Sequence, residues 1–176
     1  ASASVKDRNP DITQEELGRL SRSIGIGAVK YSDLKSDRTK DYVFDWEKML
    51  SFEGETGPYL QYAHARISSI LRNDKFQQSK SGPTSFSLAH ESEMRLAREI
   101  MKYPESVDQA AEDLAPHRIC KQLHRLSQAF AAFYENCPVL VEDDNTRNER
   151  LALCRIAGGI LNHGLNLLGI DAPDRM

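Results

Sequence analysis

Apolar residues recur every three or four positions along most of this 176-residue chain, and no stretch alternates apolar and polar for long, so the pattern predicts helices and no sheet. Asn9-Pro10-Asp11 stops whatever precedes it and caps a helix from Ile12 to about Ile24, with Glu15 and Glu16 in its first turn. A short amphipathic helix follows around Trp46. Gly54 and Gly57 then permit a tight loop with positive φ, Thr56 is a ready N-cap, and Pro58 suits the first position of the next helix. Asn73 to Ser87 is rich in Ser and Gln and reads as a surface linker. Beyond it the pattern gives a helix from Leu88 to about Lys102. A break at Tyr103-Pro104-Glu105 starts another, through about Leu114. A long helix runs from Pro116 to about Asn136 on a stripe of Ile119, Leu123, Leu126, Phe130 and Phe133, and Cys137-Pro138 ends it. The last helix spans Arg147 to about Leu168. Gly158-Gly159 in its middle cost about 1 kcal/mol each relative to Ala, which calls for a neighbouring backbone close by. The fold class is all-α.

This length supports one domain with a sizeable core and a small appendage. Hydrophobic residues at 40% and charged residues at 28% fit a soluble globular protein, and no apolar run reaches the length of a membrane span. Cys120, Cys137 and Cys154 stand seventeen residues apart, which suits neither a disulfide framework nor a close metal-ligand pair. They read as reduced core thiols of a cytoplasmic protein. A net charge of −3 argues against indiscriminate binding to nucleic acid, DNA included. Locally the picture changes: His117, Arg118, Lys121, His124 and Arg125 lie in nine residues without an acid. That stretch is either a basic surface or a solvated helix face.

Three residues of the helix opened by Pro58 carry the most specific chemistry. Tyr59, Tyr62 and Arg66 follow i, i+3, i+7 spacing, which confines them to an arc of about 60°. The tyrosines are either the margin of the apolar face made by Leu60, Ala63, Ile67, Ile70 and Leu71, or a platform on which unpaired bases stack while Arg66 meets phosphate. Periodicity alone leaves both open. Gly25-Ile26-Gly27-Ala28-Val29-Lys30 lacks the remaining glycine and the Lys-Ser/Thr pair of a nucleotide fingerprint and is read as helix packing or a turn.

The loop-to-helix junction from Phe52, FEGETGPYLQYAHARISSILR, resembles that of arginyl-tRNA synthetases. So do Ile24-Gly25-Ile26-Gly27-Ala28-Val29-Lys30-Tyr31-Ser32-Asp33-Leu34, Tyr42-Val43-Phe44-Asp45, Phe133 through Val139, and the closing Leu168 to Met176. Arg150-Leu151-Ala152-Leu153 lies where that family's DALR-type domain has its arginine-leucine signature. The resemblance covers nearly the whole chain and likens it to the carboxyl-terminal part of a class I arginyl-tRNA synthetase. It implies a helical anticodon-binding bundle over residues 57–176, preceded over 1–56 by helices that link it to the catalytic domain. Tyr59, Tyr62, Arg66, Arg72, Tyr134 and Met176 are implied to bind RNA. Phe52, Glu53, Gly54, Glu55, Thr56 and Gly57 are implied to form a loop that moves when tRNA binds. Helical geometry turns Arg72 toward a different side from Arg66.

The implied partners are an arginine tRNA, through its anticodon loop, and the chain's own catalytic domain. The implied parent enzyme joins arginine to tRNA with ATP and magnesium. The sequence departs from that pattern in having no HIGH motif, no true KMSKS and no doubly wound nucleotide-binding pattern. This chain alone is therefore expected to be inactive, with no catalytic residue, cofactor or metal of its own. A freestanding tRNA-binding module and a helical protein–protein scaffold are the rival readings. Five histidines without a Ser/His/acid or metal-ligand constellation give little support to a hydrolase.

Overall fold

The computed structural model describes residues 11–72 and 85–176, with Ser2, Val5, Lys6 and Pro83. Most of the expected linker at Asn73 to Ser87, and the Asn9-Pro10 stop, lie outside the described residues. Helices α1 (Gln14–Leu34), α2 (Trp46–Met49), α3 (Gly57–Leu71), α4 (Glu91–Glu112), α5 (His117–Asn136) and α6 (Asp144–Leu167) follow in order, and the described residues contain no strand. Helices α3 to α6 enclose the core, in which Leu60, Ile67, Leu96, Leu123, Leu126, Phe133, Leu151, Leu161 and Leu165 are almost wholly buried. The broadest contact joins α4 to α5, and α1 lies against α3.

Several boundaries differ from those the local pattern predicts, each for a tertiary reason. Helix α1 starts where the Thr13 hydroxyl accepts from the Glu16 amide at 3.2 Å, and it runs ten residues past Ile24. Ile24, Gly27, Ala28 and Tyr31 continue one buried stripe through the glycines, so helix packing is what those glycines serve. Helix α4 does not break at Tyr103-Pro104-Glu105 and carries Pro104 in its interior. Leu96, Tyr103 and Ala110 form an unbroken buried row, and burying that row offsets the roughly 3 kcal/mol that an internal proline costs. The same helix starts at Glu91, not Leu88. Leu88 has φ 46°, and His90 and Glu93 close a reciprocal capping box.

Helix α6 begins three residues before Arg147, because the Asp143 carboxylate accepts from the Thr146 amide at 2.8 Å. At Gly158 the close neighbour is a side chain and not a backbone: an added methyl would lie 2.8 Å from Ile67 Cγ2, while Gly159 faces open space. The short helix expected around Trp46 is α2, with Met49 turned inward and Trp46 outward. The three cysteines are buried and unpaired, and burial pushes the Cys120 and Cys154 thiols up to about 12, so they stay protonated.

Glu149 of α6 anchors the chain entering α4, accepting from the Ser87 amide at 3.0 Å, the Ser87 hydroxyl at 2.8 Å and Asn145 at 2.9 Å. Burial pushes its carboxyl up, but these hydrogen bonds outweigh burial and hold it below its ordinary value of 4.5. A depressed folded pKa contributes stability that is fully present above the unfolded value and lost as pH falls through the folded one. Thermal midpoints are expected to drop as pH is lowered below 4.5, and Glu149→Gln to flatten that drop. An unchanged acid slope in the variant would contradict this assignment.

Candidate nucleic-acid interface

Helix α3 is fixed at its start before it presents anything. The Thr56 hydroxyl accepts from the Tyr59 amide at 3.2 Å and donates to the Ser51 carbonyl at 2.6 Å, closing the loop that precedes the helix. Lys35, at the end of α1, donates to the Glu55 carbonyl at 2.9 Å and ties that loop down. Gly54 takes the expected positive φ, 75°. Gly57 does not, and its role is close approach: an added methyl would lie 2.6 Å from the Gly27 carbonyl oxygen.

From this start, Tyr59, Tyr62 and Arg66 point along one side of α3. Both tyrosines are half-buried and Arg66 is exposed. Tyr59 packs on His124 of α5, with ring centroids 5.7 Å apart. Tyr62 meets the edge of Phe52 at 6.3 Å. The Arg66 guanidinium carbon stands 4.2 Å above the ring of Tyr134, near the end of α5, and Tyr134 in turn lies 6.1 Å from the core ring of Phe130. Tyr134 is 38% exposed. The four residues therefore make one half-wet row of π-faces and a guanidinium, seated on the core at one end and on the loop at the other.

Charge along the row is sparse. Burial raises the Tyr59 phenol and lowers the His124 imidazole, so both are neutral at pH 7. The His124 Nδ1 is buried without a hydrogen-bond partner among the described residues. In the basic stretch, His124 is turned inward and Arg118 pairs with Asp113, which leaves Lys121 and Arg125 as exposed cations without an ion pair among the described residues.

Arg72 and Met176 are not brought to this row. Gln61, His64, Ser68 and Arg72 form a second stripe, on the other side of α3, that straps down the chain leaving α6. Gln61 donates to the Asp171 carbonyl at 2.8 Å, and His64 Nδ1 is 3.1 Å from the Pro173 carbonyl. Ser68 donates to the Asp174 carboxylate at 2.9 Å and Arg72 to the Asp174 carbonyl at 2.9 Å. Lys30 of α1 holds the Gly169 carbonyl. Met176 lies half-buried past the strap, in a cleft that Arg72 also lines. Sequence reasoning missed the strap, although its 61, 64, 68, 72 spacing is a helical polar stripe. It also missed His124 as a support for Tyr59, which no local signal marks.

The arginine of the 150–153 signature serves the fold. Arg150 Nε donates to Glu93 at 2.7 Å and its Nη1 to the Pro138 carbonyl at 2.7 Å, joining α6 to α4. Among the described residues, no group of histidine, cysteine and carboxylate side chains could hold a metal ion, and no helix is long and apolar enough to cross a membrane.

Residues 60–176 match the family described as the DALR anticodon binding domain. This chain belongs to that family, in its arginyl-tRNA synthetase form. Ahead of the DALR domain, residues 1–46 match the catalytic domain of the arginine-type class I tRNA synthetases. An arginine–tRNA ligase of Proteus mirabilis is 46% identical over 174 residues, covering 98% of this chain and 30% of that protein. One of Frankia casuarinae is 46% identical over 177 residues, covering 100% and 30%. Among solved structures, the Thermus thermophilus arginyl-tRNA synthetase superposes with a TM-score of 0.87 at 33% identity, over 99% of this chain and 30% of that one. The Plasmodium falciparum arginyl-tRNA synthetase gives 0.86 at 31% identity, over 100% and 31%. The chain carrying this DALR domain thus spans about 30% of the length of the curated relatives it matches.

Proposed function

We propose that Tyr59, Tyr62, Arg66 and Tyr134 receive the anticodon loop of an arginine tRNA, on behalf of an enzyme that joins arginine to that tRNA. The observation that carries this is the Arg66–Tyr134 stack at 4.2 Å beside two half-buried tyrosines, in a domain of the anticodon-binding family. Arginine tRNAs share a cytosine at the middle anticodon position and vary around it. A reader of such a set needs one specific base site next to tolerant stacking surfaces. Tyrosine faces accept any base at about 1–3 kcal/mol each. Arg66, already held over Tyr134, offers directed N–H donors to a base edge or a phosphate with little rotamer freedom left to lose. Arg72 and Met176 would act from the far side of α3, on RNA passing around its end.

Phe52 lies edge-on to Tyr62, so a base stacking fully on Tyr62 would compete with it, and the loop from Phe52 to Gly57 would re-seat when RNA arrives. Residues 1–56 would be the link to a catalytic domain, and 57–176 the reader. ATP, magnesium and arginine would be handled in the part of the enzyme that this chain does not span, since its residues include neither HIGH nor KMSKS. The setting would be the cytoplasm, which suits three unpaired thiols.

Fluorescence anisotropy with labelled arginine tRNA, beside the same tRNA carrying a changed middle anticodon base, tests the reading. Preferential binding of the unaltered tRNA is expected, and equal binding would refute it. Tyr62→Ala is expected to weaken binding by about 1–3 kcal/mol with helicity retained. Arg66→Ala is expected to weaken it and, where the guanidinium meets phosphate, to lower the salt slope by about one.

A further inference from the structure

A cleft of about 1160 Å³ opens beside the tail strap, between α1 and the carboxyl end of α6. Arg19 and Arg22 of α1, Arg72 of α3 and Arg175 of the tail all line it. We propose that this cleft seats the sugar–phosphate backbone of the RNA whose unpaired bases meet the tyrosine row. The inference rests on the RNA reading above and adds a second site to it, with a different chemistry.

Four features point to backbone and not to bases or a small molecule. Arg19, Arg22 and Arg175 make no ion pair or hydrogen bond among the described residues, and guanidinium groups match phosphate oxygens in geometry as well as charge. The lining holds no aromatic ring, so a splayed base would find only guanidinium planes, which serve phosphate as well. The cleft is open to solvent along its length and, at about 1160 Å³, lies slightly above the roughly 300–1,000 Å³ usual for small-molecule pockets. One wall is fixed in advance, because Gln61, His64, Ser68 and Arg72 hold the tail at 171–174.

Carboxylates share the cleft, and they shape the expectation. Glu16 accepts from the Thr13 hydroxyl at 3.0 Å, and Asp174 is occupied by Ser68. Asp11 and Asp171 also line it. None of these pairs with Arg19, Arg22 or Arg175, yet together they cancel much of the long-range attraction for polyanions. Binding then depends on a backbone being delivered in register, which the tyrosine row does. A helix with its side chains is about 10–12 Å across, so one hairpin can engage both sides of α3 around its carboxyl end.

The test uses the 176-residue chain and a labelled hairpin RNA with the anticodon stem and loop of an arginine tRNA, titrated at several salt concentrations. The Arg19→Ala/Arg22→Ala variant is expected to bind several-fold more weakly, with the slope of log K against log salt smaller by about 1 per arginine. The decrement should be the same for a hairpin with a changed middle anticodon base. Tyr62→Ala should instead weaken binding with the slope kept. Both arginines are exposed on α1, and circular dichroism would verify that each variant stays folded. An unaltered slope in the arginine variant, with Tyr62→Ala still weakened, overturns the cleft and leaves the base-reading face intact. A lowered slope with Tyr62→Ala unaffected supports the cleft and overturns the tyrosine row. No binding by the parent chain overturns both.

Discussion

Replacing Arg150 with alanine is expected to lower the free energy of unfolding by about 3 kcal/mol. Arg150 and Glu93 are paired at 2.7 Å with side chains only 15% and 6% exposed. Glu93 uses its other oxygen to accept from the His90 amide at 3.0 Å, so one carboxylate starts α4 and also ties it to α6. Removing the guanidinium leaves that buried carboxylate without its cation, and leaves the Pro138 carbonyl without a partner. An uncompensated buried charge costs about 3–5 kcal/mol, and the residual exposure of Arg150 puts the expectation at the lower end. Urea melts read the loss directly. Arg150→Lys, which keeps the charge without the two-pronged donor, should fall between parent and alanine. A loss under about 1 kcal/mol would mean that the pair behaves as a surface salt bridge. RNA affinity, measured where the variant is folded, should not change.

Gly57→Ala is expected to cost about 3 kcal/mol, the upper end of ordinary overpacking. The added methyl would sit 2.6 Å from the Gly27 carbonyl oxygen, 2.9 Å from its carbon and 3.1 Å from Tyr31 Cβ. A flexible side chain could turn away from such a contact, but here the obstacle is the main chain of α1, so one helix must lift off the other. Gly54→Ala makes the control. Gly54 faces open space, and its φ of 75° costs a substituted residue about 1–2 kcal/mol through backbone strain alone. Equal melting curves for Gly57→Ala and the parent would show that the close approach is not rigid. Because α3 carries the tyrosines, the Gly57 variant should also bind RNA more weakly than its stability loss alone accounts for.

What the sequence makes legible is what repeats with the period of a helix. The Thr56 cap and the Tyr59, Tyr62, Arg66 stripe are local, and they stand where the spacing puts them, while the helix starts one residue ahead of Pro58, at Gly57. Tyr134 enters through family resemblance alone, and its pairing with Arg66, between residues far apart in the chain, is reported by no periodicity and appears only in the fold. Pro104 misleads because its effect is local, while the Leu96, Tyr103, Ala110 row that keeps α4 whole draws its worth from α5. Arg72 shows the converse. Its position on α3 is computable from the sequence, but its neighbour, the Asp174 carbonyl, is brought to it by a tail that arrives from the far end of the chain.

The touching backbones of Gly27 and Gly57 bear on how such proteins can be recombined. Gly27 lies within the stretch that matches a catalytic domain, and the match to the anticodon domain begins only at residue 60. A chimera cut between those two matches would pair α1 of one parent with α3 of another across a contact that leaves no room for a methyl group unless the helices shift apart. The workable seam for exchanging this helical domain between relatives therefore falls ahead of α1, so that residues 14–57 travel with the bundle they support.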